Sequence, residues 1–144
     1  FSVCCAMTKE GTIFKQVRDK PYNQISFLVF LNSLFDFLRE KELERCVLVM
    51  DNVRFHKCTS VLDLCHSKGH SVMFTPPYCP DFNPIENFFS KWKNYVKRNN
   101  PVSEAEMLRL IEEGVNITTP NDCASYFRHM LTHVNATLFG DGTQ

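Results

Sequence analysis

The sequence lacks a charge bias, a long apolar run and an amino-terminal export pattern. Its 16 basic and 16 acidic residues cancel, so overall charge does not draw the chain to polyanions. No apolar run approaches the roughly 20 residues that a membrane-spanning helix needs, and no signal-peptide pattern opens the chain. We therefore expect no membrane partner, and any binding to a polyanion must come from local basic patches or from segments outside this sequence.

The cysteine pattern gives no sign of a metal site or of disulfide bonds. The seven cysteines form an odd set, and none stands in a Cys-x-x-Cys pair. This pattern is not typical of a zinc site or of a disulfide framework. We expect the cysteines to be small, buried residues in a reducing compartment.

The apolar pattern alternates between strands and helices and predicts an α/β fold. Glycine, proline and polar turns separate the segments. The predicted elements are a hairpin of strands 1–7 and 12–17, a helix over 23–39, a strand over 46–50, a helix from Thr59 or Ser60 to Gly69, a strand over 70–75, and three further helices. Because a helix connects strands 46–50 and 70–75, we expect them to pair in parallel through a right-handed crossover.

The first candidate site residue is Asp51. It follows directly on the apolar run Val47–Met50, which is typical of a buried strand. Ligands of open α/β sheets bind at the carboxyl ends of the strands. Asp51 is therefore placed where a site would form, although a bland role in capping a turn remains open.

The second candidate is Glu86. Residues 76–84 hold four of the seven prolines, which makes this loop stiff, and Asn83 is expected to cap the next helix with Pro84 at its first position. Glu86 then lies in the first turn, near the positive end of the helix dipole. The 34 residues between Asp51 and Glu86 allow one helix and one strand, so both carboxylates can reach one rim and form a metal site for phosphoryl chemistry.

Two segments together resemble a known family. Asp51–His56, followed by Pro76–Glu86, is similar to the catalytic core of mariner-type and related insertion-sequence transposases, which are DDE superfamily endonucleases. The resemblance implies an RNase H-like fold, in which a mixed sheet contains a hairpin and parallel strands and helices flank the sheet. It would occupy residues 1–139 and leave 140–144 as a flexible tail.

The resemblance also implies an Asp-Asp-Glu triad that holds two Mg²⁺ or Mn²⁺ ions. Asp51 and Glu86 would be its second and third members, acting as catalytic residues and as metal ligands. The first member would lie on the first strand of the fold, but no acidic residue precedes Glu10. We therefore expect that this strand is missing, that the domain is truncated at its amino terminus or is a relic, and that the chain as given is inactive.

Further residues are candidates for contacts around this site. One group is expected to bond to the site or to face DNA: Asn52, His56 and Asn83. A packed position at a helix start is the alternative for His56. A second group would bind DNA phosphates, although a solvated polar helix face explains it equally well: Lys91, Lys93, Lys97 and Arg98, with Arg54 and Lys57 as weaker candidates.

The implied function is metal-dependent cleavage of DNA and transfer of the strand to target DNA. The implied partners are transposon ends, target DNA and further copies of the protein, in a nucleus or a bacterial cytoplasm. Three alternatives stay open: a degenerate DNA-binding or assembly module without activity, an RNase H-like nuclease that does not transpose, and a phosphotransfer enzyme that uses Asp51 as its nucleophile.

Overall fold

A computed structural model describes residues 1–11, 13–51, 56–75 and 83–138. Within these ranges the elements follow the predicted α/β order. They are β1 (Ser2–Met7), β2 (Ile13–Arg18), α1 (Gln24–Glu40), β3 (Val47–Met50), α2 (Thr59–Ser67), β4 (Ser71–Phe74), α3 (Ile85–Arg98), α4 (Glu104–Asn116) and α5 (Pro120–Leu138). The chain divides into two compact units, unit 1 (1–6 and 14–80) and unit 2 (7–13 and 81–144).

The predicted parallel strand pair is confirmed in unit 1. Val47 pairs with Ser71, and the register continues to Met50 opposite Phe74. Helix α2 forms the crossover between β3 and β4, and β1 pairs with β2 as the predicted hairpin. The carboxyl ends of β3 and β4 therefore lie at the same edge.

Helix α1 organises the core of unit 1. It begins with a capping box in which the Asn23 side chain accepts from the Ser26 N–H and the Ser26 hydroxyl accepts from the Asn23 N–H, and this pairing satisfies donors that a helix start leaves open. The predicted apolar stripe is buried, and its members are Phe27, Phe30, Leu31, Leu34, Phe35 and Leu38. This stripe packs against the strands of unit 1 and against α2, and the contact removes a continuous apolar surface from water.

Helix α2 ends as predicted but begins differently. The cap position is Cys58, and no side chain caps the helix there, so the prediction of a Thr59 or Ser60 cap is wrong. At the other end Gly69 adopts φ +83°. The Gly69 N–H bonds to the His66 carbonyl, and this left-handed turn directs the chain into β4.

The helices of unit 2 pack around Trp92, which is a core residue as its place on the apolar stripe predicts. Trp92 is 5% exposed, and its indole Nε1 donates to the Ile111 carbonyl at 3.0 Å. On α4, Gly114 faces the indole so closely that an added Cβ would collide with Trp92 Cδ1 and Nε1. A side chain at position 114 would therefore force α3 and α4 apart.

Polar side chains fix the starts of α4 and α5. The Ser103 hydroxyl accepts from the Glu106 N–H, while the Glu106 carboxylate accepts from the Val102 N–H rather than from that of Ser103. At α5, the Thr119 hydroxyl and the Asp122 carboxylate accept reciprocally from each other's N–H groups. In each helix a side chain therefore satisfies one of the N–H groups that a helix start leaves open.

Two expectations drawn from absences in the sequence can be compared with the described residues. Within ranges 1–11, 13–51, 56–75 and 83–138, no helix has the length and apolar character of a membrane span. The cysteines that the structure describes are free thiols, and they are Cys4, Cys5, Cys46, Cys58, Cys65 and Cys123. Of these, Cys65 and Cys123 are buried, as expected for small apolar side chains, whereas the other four are half-buried, so the expectation of buried cysteines is confirmed only in part.

Candidate functional site

Asp51 lies at the carboxyl end of β3, the position that the sequence predicts. The ladder continues to its immediate neighbours, because the Thr75 N–H donates to the Met50 carbonyl at 2.9 Å. Asp51 is half-buried and directly follows the last paired residue of β3. Its backbone is therefore anchored at the rim of the parallel strand pair, where α/β sheets bind ligands.

His56 bonds to the backbone of Asp51. Its Nδ1 lies 3.1 Å from the Asp51 carbonyl oxygen, so the tautomer with hydrogen on Nδ1 donates to that carbonyl. The ring stacks on Phe27 of α1, with 4.4 Å between the ring centroids. His56 is therefore packed, as the alternative structural role predicts, and it also links the Asp51 backbone to the core of unit 1.

The environment of His56 favours the neutral imidazole. Burial lowers the pKa of His56, while the hydrogen bond to the Asp51 carbonyl and the Asp51 charge oppose that shift. A neutral ring with hydrogen on Nδ1 is the form that can hold the Asp51 carbonyl without adding charge to the site. Direct contact of His56 with DNA stays a prediction, and Asn52 and Arg54 lie outside the described residues.

Glu86 lies in the first turn of α3 and is half-buried. The Glu86 N–H donates to the Asn83 carbonyl at 3.1 Å. The Asn83 side chain, 5% exposed, accepts from the Ile85 N–H at 3.3 Å. The cap position is Pro84, so the prediction of Asn83 as the cap is wrong by one residue, although Asn83 still bonds to the first turn.

Carboxylate oxygens are the donors that Mg²⁺ and Mn²⁺ prefer, and in this respect Asp51 and Glu86 suit a divalent ion. Asp51 belongs to unit 1 and Glu86 to unit 2. In the part of the chain that the structure describes, no three His, Cys, Asp or Glu residues cluster closely enough to hold a metal ion. The assignment of Asp51 and Glu86 as catalytic metal ligands stays a prediction.

The predicted phosphate-binding residues have different surroundings. Lys91 lies 2.7 Å from the Asp122 carboxylate and also approaches the Ile117 carbonyl, at 3.5 Å. Its charge is therefore balanced within unit 2, whereas Lys93, Lys97 and Arg98 are exposed. The weaker candidate Lys57 lies over the Phe74 ring, 5.9 Å from its centroid. Phosphate binding by these residues stays a prediction.

A groove beside α3 includes residues that the sequence analysis does not single out. The groove has a volume of about 590 Å³, and its lining residues are Asn87, Ser90, Lys91, Asn94, Lys97, Arg98 and Tyr126. The polar residues of α3 recur at helical spacing, so this pattern could have identified their shared face. Tyr126 comes from α5, and no local signal in the sequence connects it with α3.

Comparison with known proteins gives one family. The family model described as DDE superfamily endonuclease matches residues 1–109, which extend from β1 into α4 and include Asp51 and Glu86. No curated protein matches the chain. The family acts on DNA and generally depends on divalent metal ions. The chain belongs to the DDE superfamily endonucleases.

Proposed function

We propose that the intact protein is a transposase of the mariner type, which cleaves DNA at element ends and joins the strand to target DNA. The position of Asp51, at the carboxyl end of a parallel strand in a chain of this family, is the observation that carries the proposal. Glu86 in the first turn of α3 is the second carboxylate. Family membership supports nuclease chemistry, and the resemblance of Asp51–His56 and Pro76–Glu86 to mariner-type transposases supports transposition.

Asp51 and Glu86 would hold the divalent ions, Mg²⁺ or Mn²⁺. Bound divalent ions supply activation of a water or a 3′-hydroxyl and stabilisation of the leaving oxygen. The chain's own contribution is placement: the ladder and His56 fix the Asp51 backbone, and Asn83 fixes the turn that carries Glu86. Backbone hydrogen bonds of this kind limit the movement of each residue within its own unit.

The family triad requires a third carboxylate, and β1 has none, because no acidic residue precedes Glu10. We propose that a strand outside this sequence provides it and that the present chain alone does not cleave DNA. The same lack favours a second candidate, a transposase-derived module that binds DNA or assembles on it without catalysis. A nuclease that does not transpose would have the same metal ligands.

Nicking of supercoiled plasmid DNA in Mn²⁺ tests the proposal. We expect background nicking from this chain and clear nicking from a chain extended upstream through one further acidic strand. In the extended chain, Asp51→Asn and Glu86→Gln should abolish nicking. Glu104→Gln should leave it unchanged, because Glu104 is an exposed first-turn glutamate of another helix. Equal nicking by the Asp51 variant and the parent would contradict the proposal.

Assembly and location complete the proposal. Joining two element ends needs at least two catalytic centres, so we propose a dimer or larger oligomer on DNA, with nuclear location for a eukaryotic element. Sedimentation of the extended chain with paired DNA ends tests the assembly. A complex that holds only one copy of the chain for two paired ends, at concentrations where strand transfer proceeds, would contradict it.

A further inference from the structure

We propose that the groove between α3 and α5 binds a single-stranded stretch of DNA, with Tyr126 stacking on a base and Lys97 and Arg98 contacting phosphates. The proposal rests on the DNA substrate of the proposed function. It adds the form of the nucleic acid and the residues that hold it. The groove lies within unit 2, so its shape depends on that unit alone.

The α3 side of the groove is one continuous polar face. Its members follow Asn87 at helical intervals of three, four, seven, ten and eleven residues: Ser90, Lys91, Asn94, Lys97 and Arg98. Residues at these intervals share one side of a helix. The 14 residues of α3 span about 21 Å at 1.5 Å per residue, and the polar face extends over most of this length, from beside Glu86 to the last turn.

The charge and hydrogen-bonding capacity of the lining suit a phosphate backbone. The lining includes three cationic side chains and no acidic one. Lys91 is balanced by Asp122, so the net positive charge comes from Lys97 and Arg98. Within the described ranges, no hydrogen bond joins the side chains of Asn94 or Tyr126 to another residue, and these donors are available to a ligand.

The packing of α3 favours a single strand over a duplex. A helix that reads duplex DNA must enter the major groove, which is about 12 Å wide and admits a whole helix. Helix α3 is packed by α4 through Trp92 and Gly114, and by α5 through Lys91. The lining beside α3 is a cationic strip with one aromatic side chain, Tyr126, and this is the arrangement that single-strand binding uses.

A cavity in unit 1 makes a useful contrast. It measures about 300 Å³ in unit 1, and it is lined by acidic as well as basic residues, among them Asp36, Arg39 and Glu44. Arg39 is paired with Asp36 at 3.0 Å. Acidic side chains repel a phosphate backbone, so this cavity does not share the character of the groove beside α3.

Fluorescence anisotropy with labelled oligonucleotides of about 10 nucleotides, within the range that one single-strand groove spans, tests the proposal without divalent metal. We expect the single strand to bind tighter than a blunt duplex of the same length. The double variant Lys97→Ala/Arg98→Ala should reduce the slope of log K against log[salt] by about 1.4, at roughly 0.7 per lost phosphate contact. A Lys9→Ala/Lys20→Ala control removes two exposed charges that do not line the groove and should leave the slope unchanged.

Tyr126 variants test the stacking. Tyr126→Phe keeps a ring and should bind within about twofold of the parent, whereas Tyr126→Leu should bind about tenfold more weakly, since stacking is worth ~1–3 kcal/mol per base. Because Tyr126 is half-buried, circular dichroism must show that both variants fold. Asn94→Asp, at an exposed position, provides a second probe and should weaken binding through charge repulsion.

The outcomes separate this inference from the proposed function. The proposal of a single-strand groove would be contradicted if the duplex bound more tightly than the single strand. Equal losses of affinity in the groove and control variants would also contradict it. Plasmid nicking by the extended chain that depends on Asp51 but not on Tyr126 would leave the nuclease proposal standing while the groove fails. Single-strand binding that depends on Tyr126 and Lys97, in an extended chain that never nicks, would support the groove and contradict catalysis.

Discussion

The two compact units are stabilised by different kinds of contact. The core of unit 1 is an aromatic and aliphatic cluster around α1, including Phe30 and Leu31. In unit 2, polar side chains cross between helices and accompany the apolar contacts: Trp92 bonds to Ile111, and Lys91 to Asp122. Unit 1 therefore depends mainly on filled volume, and unit 2 depends more on the close fit of its helix crossings.

This difference bears directly on the two candidate carboxylates. Asp51 is attached to an apolar core through the ladder of β3 and β4 and through His56 stacked on Phe27. Glu86 depends on a helix start and on the packing of α3 against its neighbours. A variant that destabilises unit 1 should therefore displace Asp51 before Glu86, and a variant that destabilises unit 2 should displace Glu86 before Asp51.

The largest expected effect is the loss of stability that follows when side-chain volume is removed from the core of unit 1. Leu31 is 1% exposed, and Leu31→Ala should lower the free energy of unfolding by about 2–5 kcal/mol, because it removes buried methyl groups and leaves a cavity. Urea unfolding followed by circular dichroism measures the change. The control is Val29→Ala on the same helix, which is 56% exposed and should change stability by less than about 0.5 kcal/mol. Similar losses at both positions would show that α1 does not centre the core.

In unit 2, α3 and α4 pack so closely that one added methyl group should lower stability. Gly114→Ala should lower the free energy of unfolding by about 1–3 kcal/mol, because the new methyl group would collide with the Trp92 indole. This loss would appear although alanine favours helices more than glycine by about 1 kcal/mol. The measurement is thermal unfolding of the purified variant.

Trp92→Phe supplies the control for this fit. Phenylalanine has no Nε1, one of the two indole atoms that the new methyl group would meet, and its ring is smaller, so Gly114→Ala should cost less in that background. A double-mutant cycle measures this coupling. Additive losses would mean that the indole and Gly114 do not interact in the folded chain.

A smaller effect should follow from pH in unit 1. Burial lowers the pKa of His70, and its Nδ1 accepts from the Cys46 N–H at 3.0 Å, which requires the neutral ring. The unfolded state then binds more protons between the lowered pKa and about 6.5. Stability from His70 is present above about pH 6.5 and is lost as pH falls through that window.

His70→Asn tests this pH dependence, because an amide oxygen can accept from the Cys46 N–H without titrating. Unfolding in urea across the window should show a shallower pH dependence for the variant than for the parent. His56, whose pKa is also lowered by burial, contributes with the same sign and leaves part of the slope. An unchanged slope in the His70 variant would contradict the assignment.

The smallest effect is expected at the ion pair between α3 and α5. The Lys91 and Asp122 side chains are 36% and 32% exposed, so solvent screens their attraction, and Lys91→Met should cost less than about 1 kcal/mol. Asp122→Ala should cost more, because Asp122 also accepts from the Thr119 N–H at the start of α5. Thermal unfolding compares the two, and a larger loss for the Lys91 variant would reverse this ranking.

Local patterns were sufficient for much of the architecture. The spacing of Phe27, Leu31 and Leu34 indicates the buried face of α1, and the run that ends at Asp51 indicates a strand with that residue at its carboxyl end. Gly69 marks the end of α2 because its left-handed conformation favours glycine. Each of these signals arises from neighbouring residues, so the sequence alone contains it.

Features that depend on distant partners could not be predicted in this way. Lys91 looks like a free phosphate ligand in sequence, but Asp122, 31 residues later, neutralises it. Tyr126 reaches the α3 groove only through the packing of α5. The start of α2 at Cys58 has no side-chain cap hydrogen bond, and Cys58 packs instead against the core of unit 1.

Divalent-ion binding tests whether Asp51 and Glu86 are metal ligands. Mn²⁺ should be titrated into the chain extended upstream and followed by electron paramagnetic resonance. We expect Mn²⁺ binding that weakens strongly in Asp51→Asn and in Glu86→Gln. The matched controls are Asp63→Asn, an exposed carboxylate on α2, and Glu104→Gln at the start of α4; both should bind like the parent. Mn²⁺ binding that is identical in the Asp51 variant and the parent would contradict the assignment of Asp51 as a metal ligand.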